Sequence, residues 1–163
     1  MNKLKALRDV IVEAHPELEV DPDRLLTFVE QGSIAARYPA GRPSFENRYT
    51  ATVFITDYTG DPHRLFAMLL DWYRKQQPDD LLDPARHAAQ MTYEVDIIDG
   101  KTVDLMIKVP LTERVVATAD PAGGWQVAIQ PEPDYLAGTV PGSPLVVQLG
   151  DDPVAVIGPG AGG

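Results

Sequence analysis

Ser44-Phe45-Glu46-Asn47-Arg48-Tyr49-Thr50-Ala51-Thr52-Val53-Phe54-Ile55-Thr56-Asp57-Tyr58-Thr59-Gly60-Asp61-Pro62, followed by an apolar-striped run to Trp72, decides how this chain folds. From Arg48 to Tyr58 the residues alternate: Tyr49, Ala51, Val53 and Ile55 point one way, and Thr50, Thr52, Phe54 and Thr56 the other. That period of two predicts a strand. Asp61-Pro62 then starts a helix. The aspartate accepts hydrogen bonds from unpaired N–H groups as the N-cap, and proline at N1 has no N–H to leave unpaired. Leu65, Phe66, Leu69, Leu70 and Tyr73 form the expected buried stripe, with Met68 and Trp72 on its flank, and Gln77-Pro78 ends the helix. Strand, turn and helix together make one supersecondary unit.

Upstream, Leu4, Leu7, Val10 and Ile11 recur at helical spacing and predict a helix over Asn2 to Ala14, stopped at His15-Pro16. Between Arg24 and Tyr38 the residues favour two strands with Gln31-Gly32 as a hairpin turn. Downstream, Tyr93 to Leu111 predicts a hairpin across a two-residue Asp99-Gly100 turn. Glu113 to Ala119 and Trp125 to Ile129 predict another, around Asp120 to Gly124. Leu145 to Leu149 and Val154 to Ile157 are short β-prone runs. The body is thus an α+β fold in the order α-β-β-β-α-β-β, an antiparallel sheet with two helices packed on one face, plus an extended β-prone C-terminal tail.

The chain has 163 residues, room for one sizeable core. Its longest apolar run, Leu65 to Leu70, is far too short for a membrane span, and the N-terminus has no apolar segment of a secretory signal. A soluble protein made in the cytoplasm is the expectation. A formal net charge of −10 argues against wrapping a phosphate backbone. All 14 Lys and Arg lie at or before Arg114, whereas 7 of the 15 prolines and 9 of the 13 glycines lie after it. We therefore divide the chain into a body over 1–114, a β-hairpin extension over 115–130 and a Pro/Gly-rich acidic tail over 131–163. The segment after Gln130 is expected to pack poorly on the body.

Chemical signatures are few. With no cysteine, disulfides, thiolate metal sites and cysteine nucleophiles are excluded. No phosphate-binding glycine motif precedes a helix, and Gly158 to Gly163 ends the chain. His15, His63 and His87 each lie beside a turn signal, out of metal-ligand spacing. None of the three serines sits in a nucleophile elbow. No catalytic, cofactor or metal site is expected, and no enzyme. What stands out is a basic-aromatic cluster in an acidic chain: Arg37, Tyr38, Arg42, Phe45 and Arg48, flanking a proline-rich loop. Arginine and tyrosine are enriched in interface cores, so this cluster is the candidate subunit or partner contact. Its plain alternative is a solvated loop packed on the sheet.

Several ordered stretches carry a family resemblance. Phe28-Val29-Glu30-Gln31-Gly32-Ser33-Ile34-Ala35, Ser44 to Thr50, Thr56-Asp57-Tyr58-Thr59-Gly60-Asp61, Asp71-Trp72-Tyr73-Arg74 with Gln76-Gln77-Pro78-Asp79, Tyr93 to Ile98 and Leu111-Thr112-Glu113-Arg114 resemble the tail completion protein R family of Peduovirus-type contractile-tailed bacteriophages. The resemblance covers Leu4 to Arg114. It implies a structural tail protein, similar to tail terminators, that rings the head-proximal end of the tail tube as a homohexamer and prepares it for head joining. It also implies the partners: further copies of itself, tube and sheath proteins, and head or neck completion proteins, with no membrane and no sequence-specific nucleic acid. Its place would be the neck end of the virion tail, after assembly in the host cytoplasm. The alternative is a neck or head-tail adaptor, or another sheet-based binding module.

Overall fold

A computed structural model describes residues 1–36, 41–82, 91–133, 145–149 and 152–157. Helix α1 (Asn2–Ala14), helix α2 (Glu17–Val20) and a 3-10 turn (Pro22–Arg24) lead into strand β1 (Leu25–Ala36). Then come β2 (Phe45–Tyr58), α3 (Pro62–Gln76), α4 (Pro78–Leu82), β3 (Thr92–Ile97), β4 (Val103–Ala119) and β5 (Trp125–Ile129). Strands β6 (Leu145–Leu149) and β7 (Asp152–Ile157) pair with each other in a two-stranded sheet of their own.

The main sheet is antiparallel, in the order β1-β2-β4-β3, with β5 also on β4. Val115 of β4 faces Phe45 of β2 and Ile129 of β5, so β5 shares with β3 the edge of β4 that β2 does not use. The odd-numbered residues of the two central strands form the buried face. Ala51, Val53, Ile55, Leu105, Ile107, Val109 and Leu111 are all buried there with Leu7 and Ile11 of α1 and Leu65, Leu69 and Tyr73 of α3. Each fully buried Leu or Ile contributes about 1.5–3 kcal/mol relative to exposure. Both helices sit on this one face, as α+β layering requires.

Asp61 caps α3 as its sequence implies: its Oδ1 accepts the His63 N–H at 2.9 Å, with Pro62 at the first helical position. The buried stripe of α3 is rotated from the expected one. Leu65, Leu69, Trp72 and Tyr73 are buried, while Leu70 is 45% exposed. Phe66 is half-buried, its ring 4.5 Å from that of Tyr93. Directly after the end of α3, Pro78 to Leu82 form the short helix α4.

Two expectations about strands are corrected. Where two strands and a hairpin turn at Gln31-Gly32 were expected, β1 is one strand of 12 residues. A register shift between Val29 and Gln31 absorbs the irregularity as a bulge, and Gly32 does not adopt positive φ, so the chain never reverses. The observed order therefore has one strand fewer before α3. The second correction concerns Asp99-Gly100. A two-residue turn there would set apolar Val95 opposite Asp104. Instead a longer loop from Ile98 to Thr102 sets Val95 opposite Leu105 and Asp96 opposite Asp104. One register step moves every side chain to the other face, and the observed register sets Tyr93, Val95 and Ile97 of this exposed edge strand on the same face as Ile107, Leu105 and Val103. Asp99 holds this loop: its Oδ1 accepts the N–H groups of Lys101 and Thr102, both at 2.7 Å. These bonds keep its carboxyl below the usual aspartate range.

Candidate functional site

The candidate surface begins where β2 and β4 first pair. Register places Glu46 opposite Arg114 and Arg48 opposite Thr112 on one face, with Phe45 opposite Val115 and Asn47 opposite Glu113 on the other. Arg48 is largely exposed, and its Nε donates to Glu46 Oε1 at 2.6 Å. Arg48 and Glu46 line a groove of about 600 Å³ with Gln77, Asp80, Thr112, Arg114 and the segment Gln130 to Pro133.

Gln77 explains why the groove forms here. β3 covers β4 from Val103 to Lys108 and β5 covers it from Val115 to Ala119. Between them the edge of β4 is open to another partner. Gln77, the residue that ends α3, fills this place: its Oε1 accepts the Thr112 N–H at 3.1 Å, and its Nε2 donates to Thr112 Oγ1 at 3.0 Å. A side chain thus replaces a strand and satisfies a backbone donor that burial would otherwise orphan. Asp80, one turn on, accepts the Tyr73 hydroxyl at 2.9 Å and the Gln77 amide at 3.2 Å.

Beneath the groove lies a buried polar cluster. Lys3 is 6% exposed and Glu113 2% exposed. Glu113 Oε1 accepts the Lys3 backbone N–H at 2.8 Å and so caps the first turn of α1, whose N-terminal residue offers no side-chain cap. The Lys3 ammonium donates to the Gln76 carbonyl, to Gln77 Oε1 and to Glu132 Oε1, the last at 2.6 Å. Tyr49 stands next to this cluster. Burial first, then the Glu113 charge, pushes its hydroxyl well above the usual tyrosine range. At the other end of β2 the Tyr58 hydroxyl lies 3.3 Å from His15 Nε2. Burial, then the charges of Glu17 and Asp61, push it up to about 12.

The five residues singled out in the sequence are not gathered into one patch among the described residues. Arg42 is exposed just before β2, Phe45 is half-buried, and Arg48 is exposed on the groove. Phe45 and Arg48 fall on opposite faces of the sheet. Arg37 and Tyr38 lie outside the described residues, as does His87. His63 is exposed beside Asp61. The expectation that the chain after Gln130 packs poorly is corrected for its first residues: Gln130 N–H binds the Arg114 carbonyl at 2.9 Å and Glu132 binds Lys3.

Lys3, Gln77, Glu113 and Glu132 were not among the candidates. Glu113 had a signal: it continues the odd-numbered alternation of Leu105 to Leu111, which puts a carboxylate on the buried face. The stretch Asp71-Trp72-Tyr73-Arg74 proves structural. Asp71 pairs with Arg74 and Lys75, while Trp72 and Tyr73 are core.

Residues 1–133, from α1 through β5 to the groove wall, match the family model described as P2 phage tail completion protein R (GpR). The chain belongs to this family. Tail completion protein R of Escherichia phage P2 is 37% identical over 118 residues, covering 72% of this chain and 76% of that protein. No solved structure matches. Membership in the tail completion protein R family carries a structural part in phage tail completion. The matched residues include the whole groove and both ends of the Lys3–Glu132 pair.

Proposed function

We propose that this protein caps the head-proximal end of the tail tube as a ring of identical copies, a hexamer, and so prepares the tail for head joining. The observation that carries this is the family match over residues 1–133, which spans every element of the five-stranded sheet and its helices. The physical requirement is a head-to-tail contact whose rotation closes on itself. A ring docked on the last tube layer occupies the surface that the next tube subunit needs, and polymerisation stops. The Arg42, Phe45 and Arg48 region, with Arg37 and Tyr38, is the proposed subunit or tube contact. Arg48 and Arg114 give the groove cations in a chain of net charge −10.

Electron microscopy of particles assembled from all tail components except this chain tests the proposal. Overlong tails are the expected result. Tails of normal length that fail to join heads would replace the terminator with a neck adaptor.

A further inference from the structure

Lys3 is held by groups from three distant parts of the chain. A lysine ammonium has three donors, and all three are used: Gln76 and Gln77 at the end of α3, and Glu132 beyond the end of β5. Its backbone N–H meets a second carboxylate, Glu113. Glu132 is thus the carboxylate that pairs with the buried ammonium, whereas Glu113 accepts from the neutral backbone amide. The two carboxylates are not equivalent. Glu113 is fixed in the middle of β4 and also caps α1. Glu132 is 23% exposed at its side chain and lies on a segment, Gln130 to Pro133, that belongs to no strand. That segment forms one wall of the groove lined by Arg48 and Thr112.

We infer that Lys3 and Glu132 form a releasable clasp that holds the segment after β5 as a strap along the groove. Glu113 keeps the start of α1 fixed on β4 through the Lys3 backbone N–H. Opening removes the wall built by Gln130 to Pro133 and breaks the hydrogen bond from the Gln130 N–H to the Arg114 carbonyl. A buried ion pair with one exposed partner suits such a device, because the burial cost of its charges offsets much of their attraction. The clasp therefore sets position more than stability.

Amide hydrogen exchange on the full chain tests the clasp. In Glu132→Ala, exchange at Gln130 and at residue 132 is expected to speed up at least about tenfold, as for a locally opening segment, with α1, β2 and β4 unchanged. Unchanged exchange at those two amides would overturn the clasp, as would equal acceleration through α1 and β4, which would make Glu132 an ordinary part of the core. A double-mutant cycle on Lys3 and Glu132 tests the pair itself. Lys3→Met and Glu132→Gln should each lower the melting temperature, and the double variant should lose distinctly less than the sum. Strict additivity would overturn the inference.

Discussion

Tyr49 places a hydroxyl in the core next to the Glu113 carboxylate and the Leu4 backbone. Among the described residues it finds no hydrogen-bond partner. A buried hydroxyl without a partner costs stability, so its removal should not. Tyr49→Phe is expected to leave stability unchanged or raise it by up to about 1 kcal/mol in chemical denaturation. Tyr49 and Tyr58 also set an alkaline limit. Both hydroxyls have folded values above the ordinary tyrosine value of 10.0, with Tyr58 at about 12. Groups raised on folding contribute stability that is fully present below the unfolded value and lost as pH rises through the folded one. The melting temperature should therefore fall steeply from pH 10.0 toward about 12, where Tyr58 ionises in the folded state. Tyr58→Phe should flatten that fall; an identical profile would show that these hydroxyls do not govern it.

At the scale of elements, the β2–turn–α3 unit does what its sequence implies, and its turn is tightly filled. A Cβ on Gly60 would lie 2.5 Å from the Tyr58 hydroxyl oxygen and 2.6 Å from its ring carbon Cζ. Tyr58 is 2% exposed and lies against His15, so it has little room to yield. Gly60→Ala is expected to cost about 1–3 kcal/mol, measured by thermal or chemical unfolding, as overpacking does. This unit was legible because period and cap are local signals. The same holds for α1 and the β4–β5 hairpin. The bulge in β1 was not legible, because Gln31-Gly32 carries turn chemistry and pairing with β2 overrides it. The loop after β3 was misread for a related reason: Asp99-Gly100 satisfies a turn preference, yet matching Val95 to Leu105 governs the register. Long-range partners decide both cases. The groove was least legible, since Lys3, Gln77, Glu113 and Glu132 meet across separations of up to 129 positions. No local pattern links them.

At the scale of the whole molecule, the sheet turns one face to α1 and α3, and the chain carries its cations in the body and none after Arg114. Arg42 in the candidate contact is exposed and lies outside the buried core, so reversing its charge should spare the fold. Arg42→Glu is expected to keep the melting temperature within a few degrees, as surface changes do, while impairing complementation of a phage lacking this chain. Normal tails with that variant would remove the loop from the interface. The Asp71 to Arg74 stretch helped reveal the family through residues that pack. The proposed stop to tube growth is tested by the length distribution of tubes polymerising from purified tube subunits, with this protein added midway. Growth should halt at the length reached on addition, with a ring of added mass at one tube end. Continued growth at the original rate, with no protein at the tube ends, would contradict it.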